Sequence, residues 1–298
     1  MSSGACGFIG LGSMGLAMAT HMVKAGIDLR GFDLNQAAMQ SLADAGGVAA
    51  LSCKDAARGQ SLLHVVVAKA EQAEMVLFGD DGAVAELADG ATVVLHSTVP
   101  PAFARRLGAR LAETGHPFLD APISGGRVGA DAGTLTIMAS GPEEAFAASE
   151  RTIAAISRKV YRLGTEPGIG STVKMINQHL AGVHIVSAAE AMALGARAGA
   201  DPAILFDVIS SSAGNSWMFG DRVPHMLERN FSPKSAVEIF IKDLGIVLET
   251  GAELQFPLPL AACAHQQYLA AAAAGHAKED DAAVVKVYEQ IAGIEVKG

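Results

Sequence analysis

Residues 7–15 read GFIGLGSMG, and the order of features in that stretch decides the fold. The short apolar run ACGFIG at 5–10 predicts a buried strand. It gives way to Gly10-Leu11-Gly12-Ser13-Met14-Gly15 and then to a run that predicts an amphipathic helix from about Gly15 to Ala25. A G-x-G-x-x-G string alone carries little weight in a chain with 33 glycines. Between a strand and a helix it predicts a dinucleotide loop. The first glycine allows the tight turn, the second lets a pyrophosphate reach the backbone, and the third lets helix and strand pack closely. The helix N-terminus favours the phosphate charge. DLRGFD at 28–33 predicts a second strand that ends at Asp33, 18 residues past Gly15. A carboxylate there suits both ribose hydroxyls of NAD and repels the extra phosphate of NADP. Leu34 and Asn35 follow it, with no arginine; Arg30 lies earlier on the strand.

Outward from this loop, SLLHVVVA at 61–68 and ATVVLH at 91–96 lack clear alternation, as strands covered on both faces do. PFLDAP at 117–122 and TLTIMAS at 134–140 predict later strands. The expected fold class is therefore α/β, a Rossmann-type doubly wound and mostly parallel sheet over residues 1–163. GTEPGIG at 164–170 is a turn-rich hinge, and an all-α domain is expected over 164–298. Its first element is a long alanine-rich interdomain helix over 170–198. Asp201-Pro202 predicts the cap and first residue of the next helix, with further helices over 202–212, 236–254, 257–275 and 281–292.

Composition narrows the function. Hydrophobic residues reach 50% while charged residues stop at 18%, which excludes intrinsic disorder. The net charge is −9 with no basic stripe, so no nucleic-acid partner is expected. No uninterrupted apolar stretch of about 20 residues predicts a membrane span; the nearest, near 180–200, carries His184, Glu190 and Arg197. Cys6, Cys53 and Cys263 have neither metal nor disulfide spacing, and a cytoplasmic location is the expectation. His179 and His184 read as satisfied helix histidines, and no metal is expected. Met14, Met18 and Met22, spaced i, i+4, read as core.

In an open α/β sheet, ligands bind beyond the carboxyl ends of the strands. Ser97, Thr98 and the Ser124-Gly125-Gly126 turn fall there, and the segment around Ala68 follows the fourth strand where the cofactor's ribose is expected. Lys69 receives no role. Four motifs occur in order: FIGLGSMGLAMATHM at 8–22, DAPISGG at 120–126 with GTLTIMASG at 133–141, GIGSTVK at 168–174, and Lys242-Asp243. On these the chain resembles the β-hydroxyacid dehydrogenase family over nearly its whole length, although Ala17 replaces a frequent proline.

The resemblance implies an NAD-dependent dehydrogenase of a small hydroxy acid, a carboxylate substrate, and a homodimer or homotetramer. It implies that Gly10, Leu11, Gly12, Ser13, Met14, Gly15, Asp33, Leu34, Ala68, Thr98 and Lys242 meet the cofactor. Lys174 would be the general base. An ordinary lysine, near pKa ~10.4, is protonated; burial and the positive nicotinamide would favour its neutral form. Ser124, Gly125 and Gly126 suit the substrate carboxylate through a hydroxyl and backbone N–H groups. The family usually carries asparagine four residues past the lysine; here Gln178 stands there, with Asn177 before it. Gln178, Asn177, Thr98 and Asn215 are the remaining substrate candidates, with Ser216 beside Asn215. Lys242 would cover the nicotinamide or help bind substrate, with Asp243 orienting it. Trp217 and Phe219 line the pocket or merely pack.

STVPPAFARRL at 97–107, KMINQHLAGVHI at 174–185 and GNSWMFGDRVPHML at 214–227 look most similar to members that oxidise L-threonate to 2-oxo-tetronate. Oxidation of 3-hydroxyisobutyrate, reduction of tartronate or succinic semialdehyde, and a non-catalytic NAD sensor are the competing readings.

Overall fold

Every residue of the first strand, Cys6–Ile9, is buried, as the apolar run predicts, and the rest of the first sheet is laid down beside it. The structure is a computed structural model that describes residues 5–298. Its contacts divide it into two compact units, Met1–Lys174 and Met175–Gly298. In the first unit β1 (Cys6–Ile9), α1 (Gly15–Lys24), β2 (Leu29–Phe32), α2 (Gln36–Asp44), β3 (Val48–Ala49), α3 (Cys53–Ala57), β4 (Leu62–Val65), α4 (Ala70–Phe78), β5 (Thr92–Leu95), α5 (Pro101–Glu113) and β6 (Phe118–Asp120) alternate. The strands form one parallel sheet in the order β3-β2-β1-β4-β5-β6. The order reverses between β1 and β4, which opens a crevice beyond their carboxyl ends. Helices cover both faces, so β1, β4 and β5 are buried along their whole length.

A second, three-stranded sheet follows. It holds β7 (Ile123–Ser124), then, after α6 (Gly126–Asp131), β8 (Leu135–Ala139) and, after α7 (Glu143–Ala154), β9 (Ser157–Arg162). β8 runs antiparallel to β7 and parallel to β9. The 134–140 strand thus belongs to this smaller sheet, and Ser124 lies on β7 instead of at a strand end of the main sheet. Met18 and Met22 are fully buried in the first unit's core. Burial pushes the Cys6 and Cys53 thiols up to about 12 and about 11, so neither supplies a reactive thiolate.

α8 (Ile169–Arg197) starts in the first unit and runs on into the second. Among the described residues no strand follows β9. By length and composition α8 passes as a membrane span, yet Ile185, Ala189 and Met192 are fully buried in the second unit's core. The second unit adds α9 (Pro202–Ser210), α10 (Trp217–Leu227), α11 (Val237–Glu253), α12 (Pro259–Ala271) and α13 (Val285–Ala292). Asp201 caps α9 by accepting from Ala203 N at 2.8 Å and Ile204 N at 3.1 Å, as the Asp-Pro pair predicts. α10 is absent from the sequence reading, because Gly220 and Pro224 inside it argue against a helix. It forms nonetheless, started by Ser216, whose hydroxyl accepts from Phe219 N at 3.0 Å.

The second unit also buries charge. The Arg222 guanidinium donates from Nε to Asp281 Oδ1 at 2.5 Å and from Nη2 to Oδ2 at 3.2 Å. Asp280 beside it accepts from Lys234 N at 2.9 Å and Ala282 N at 3.1 Å, and lies 3.1 Å from His225 Nδ1. Burial pushes the Asp281 carboxyl up to about 6, against the lowering effect of Arg222. Removing one partner of such a pair leaves an uncompensated buried charge, so Arg222→Ala is expected to cost about 3–5 kcal/mol in urea unfolding. Without the guanidinium the folded-state pKa of Asp281 rises further above its unfolded value. The folded state then holds a proton that the unfolded chain releases. The deficit should therefore shrink as pH falls from about 8 to about 5; a deficit that grows over that range would contradict this account.

Candidate active site

The glycine loop shows why its residues are glycines. Gly10 has φ +98°, and a Cβ on it would lie 2.1 Å from the Val66 carbonyl oxygen. A Cβ on Gly15 would lie 1.9 Å from the Gly10 carbonyl oxygen, so only glycine lets α1 start this close to β1. A Cβ on Gly12 would meet nothing within 4 Å, which leaves its backbone open to a ligand. The first turn of α1 holds no acidic residue, and Met14 at its cap makes no side-chain hydrogen bond. No acidic side chain there would repel an anion at the start of α1. Asp33 sits at the end of β2, where Oδ2 accepts from Leu11 N at 2.6 Å and Oδ1 from Asn35 N at 2.8 Å. An ionised carboxylate has about four acceptor positions, so capacity for ribose hydroxyls remains. Arg30 is drawn away to Asp55, donating to its Oδ1 at 3.0 Å and its carbonyl at 3.2 Å. Leu34 is 89% exposed beside Asp33. A dinucleotide fits this cradle on its shape and its donor set.

The next strand ends are stitched together. Ser97 is buried, and its hydroxyl accepts from Val67 N at 3.0 Å, so it fixes the loop after β4 instead of facing outward. Thr98 is half-buried and stands two residues before Pro100, the residue that precedes α5. Ala68 is exposed, and Gln72 Oε1 accepts from its N–H at 3.0 Å and from Lys69 N at 3.1 Å. Behind these residues lies a buried chain that the sequence reading passed over. His96 Nδ1 lies 2.8 Å from the Ala121 carbonyl, His96 Nε2 lies 2.9 Å from His64 Nδ1, and His64 Nε2 lies 3.0 Å from the Thr152 hydroxyl. A carbonyl only accepts, so the network places the His96 proton on Nδ1 and makes His64 the donor to it. Burial pushes His96 down to about 4 and His64 well below its ordinary range, so both are neutral. The polar residue inside SLLHVVVA was the available signal.

Lys174 is 6% exposed and lies on the second turn of α8. The turn before it is pinned by Asp120, at the end of β6. Its carboxylate accepts from Gly168 N at 2.9 Å, Ser171 N at 2.8 Å and the Ser171 hydroxyl at 2.7 Å. Burial pushes the Asp120 carboxyl up, against the lowering effect of these hydrogen bonds. Gly168 has φ +99°, so the G-x-G ahead of Lys174 has a backbone reason. In the same unit, Ser124 is half-buried on β7, and Gly125 and Gly126 lead into α6.

In the second unit, the fully buried Asp243 carboxylate joins two of the expected residues. Gln178 Nε2 donates to its Oδ2 at 2.5 Å, and Lys242 Nζ to its Oδ1 at 2.5 Å. Asn177 Nδ2 donates in turn to Gln178 Oε1 at 3.0 Å. The structure thus brings Asn177, Gln178, Lys242 and Asp243 into one network. Asn215 stands apart, closing its own loop through Nδ2 to the Ser210 carbonyl at 2.8 Å. Phe219 is buried and stacks on Phe206 at 5.7 Å, while Trp217 is 69% exposed. Among the described residues no group of three or more His, Cys, Asp or Glu converges as a metal site.

Two family models match the chain. The NAD binding domain of 6-phosphogluconate dehydrogenase matches residues 5–164, and the NAD-binding domain of NADP-dependent 3-hydroxyisobutyrate dehydrogenase matches residues 168–288. L-threonate dehydrogenase of Cupriavidus necator is 52% identical, with 98% of this chain and 97% of that one covered. L-threonate dehydrogenase of Escherichia coli K12 is 46% identical, with 96% and 95% covered. The crystal structure of a 3-hydroxyisobutyrate dehydrogenase from Salmonella typhimurium superposes with TM-score 0.89 at 45% identity, covering 95% of this chain and 99% of that one.

The geometry at β2 yields a direct measurement. Asp33→Ala removes a carboxylate worth roughly 1.5–3 kcal/mol to partners it hydrogen-bonds, so NAD selectivity over NADP should fall by roughly 10- to 100-fold. Steady-state kcat/KM with each cofactor reads this; unchanged selectivity would remove Asp33 from the role.

Proposed function

The chain belongs to the β-hydroxyacid dehydrogenase family, the NAD-dependent oxidoreductases acting on CH–OH groups, and we propose that it oxidises L-threonate at its second carbon to 2-oxo-tetronate. The observation that carries this reading is a buried lysine on a pinned helical turn, in a chain 52% identical to a relative named for that activity. Bound NAD supplies the hydride acceptor. Lys174 Nζ takes the proton of the substrate's hydroxyl as the carbon–hydrogen bond is broken. In the reverse direction the ammonium returns that proton to the carbonyl oxygen. Both steps need the amine close to one oxygen and shielded from water, which a lysine 6% exposed on a rigid helix supplies.

The Ser124 hydroxyl and the N–H groups of Gly125 and Gly126 receive the carboxylate. Gly10, Leu11, Gly12, Ser13, Met14 and Gly15 receive the pyrophosphate. Asp33 and Leu34 meet the adenosine ribose, and Ala68 and Thr98 line the nicotinamide side. Gln178, Asn177 and Asn215 are assigned to substrate hydroxyls and Lys242 to the nicotinamide. Gln178 suits a hydroxyl-rich acid better than an alkyl one, because an amide can both donate to and accept from a hydroxyl. A cytoplasmic homodimer or homotetramer completes the reading.

Oxidation of 3-hydroxyisobutyrate is the second reading, supported by the name of the Salmonella structure. A panel of small hydroxy acids with NAD, read as NADH formation, separates them. The expectation is the highest kcat/KM on L-threonate; no turnover of any four-carbon sugar acid would sink this assignment. Lys174→Ala should lower kcat by about 10²–10⁴-fold and leave NAD affinity by fluorescence titration within about two-fold. Unchanged turnover would return the chain to a non-catalytic NAD sensor.

A further inference from the structure

The carboxylate of Asp120 is wholly buried; the start of one helix supplies three of the hydrogen bonds it accepts, and the Ser140 hydroxyl supplies another. Its backbone does the complementary job. Asp120 N donates to the Ser140 carbonyl and Ser140 N to the Asp120 carbonyl, both at 2.9 Å, so the end of β6 and the residue after β8 form one rigid platform. The Ser140 hydroxyl then accepts from Gly170 N at 2.9 Å. Amides at a helix start have no partner within the helix. Here those of Gly168, Gly170 and Ser171 are all taken by Asp120 and Ser140. The fit is tight: a Cβ on Gly170 would lie 2.4 Å from the Met138 carbonyl oxygen and 2.6 Å from that of Asp120.

Lys174 follows Gly170 by four residues and Ser171 by three, the spacings that share a helix face. A helix held at its first turn carries the next turn with it. We propose that Asp120, with Ser140, is a positioning residue for Lys174, holding the first turn of α8 so that the amine stands where the substrate's proton leaves. The carboxylate also places negative charge at the positive end of a 29-residue helix, which favours the clamp electrostatically. A base must come within about 2.6–3.2 Å of its proton, and a misplacement of about 1 Å costs on the order of 10²-fold. The clamp therefore acts on turnover and not on cofactor binding. The inference rests on Lys174 being the base, and the test separates the two.

The test is a double-mutant cycle. Asp120→Asn should lower kcat by about 10- to 100-fold, with NAD affinity and substrate KM held within about two-fold. Amide hydrogen exchange over 168–171 should accelerate in the cofactor-free protein. In a Lys174→Ala background the same substitution should cost nothing further, because the group it positions is gone. An equal kcat loss in both backgrounds would overturn the positioning role and leave Asp120 a general stability element. If Lys174→Ala alone leaves kcat intact, the base assignment fails instead. Should Asp120→Asn not fold, Ser171→Ala and Ser140→Ala each weaken the clamp. Each should lower kcat by about 3- to 10-fold, about the worth of one hydrogen bond, and only where Lys174 is present. A loss that persists without Lys174 would overturn the proposal equally.

Discussion

A carboxylate taken out of water costs several kcal/mol unless its oxygens are met by donors. Asp120 is met by donors that lie 48 and 51 residues further along the chain. That single requirement couples the end of the main sheet to the first turn of the long helix, since neither satisfies its polar groups alone. The orphan amides of the helix need acceptors as much as the carboxylate needs donors. The Asp120–Ser140 bridge brings the smaller sheet into the same arrangement. A buried polar network of this kind rigidifies when every member is satisfied, and the Gly-x-Gly before Lys174 is what lets the backbone come near enough to satisfy it.

The strand ends of the first unit follow the same logic with neutral groups. His96, His64 and Thr152 form a buried chain that ends on the Ala121 carbonyl. Ser97 adds a link from β5 to the loop after β4. The crest of the sheet, where cofactor and substrate are expected, is thus held by buried side chains lying behind it. In the second unit Asp243 does this for Gln178 and Lys242, one oxygen to each.

How much of this the sequence disclosed follows from how each element earns its stability. β1, β4 and β5 are covered on both faces, so they must be apolar throughout and are readable as such. β3 has only two residues, too short to read as a strand, and β9 reads SRKVYR with mostly exposed side chains, which leaves no apolar run to detect. α10 hides behind Gly220 and Pro224, because tertiary packing overrides local propensity. At the site, the glycine loop and Asp33 were legible from spacing, and Lys174 from the resemblance. Asp120, Ser140 and Ser171 were not. They stand inside the motifs at 120–126, 133–141 and 168–174, but only folding brings them together, so their shared contact could not be read from the string.

The anchoring of α8 at its first turn has an evolutionary consequence. An α-helix rises about 1.5 Å per residue, so position 178 stands about 6 Å beyond position 174 along the same face. The fixed end determines where the amine sits, while side chains further along alter what is presented without disturbing it. Gln178 can then be exchanged without moving the anchored turn. The anchored turn and the positions beyond it can thus vary separately along one helix.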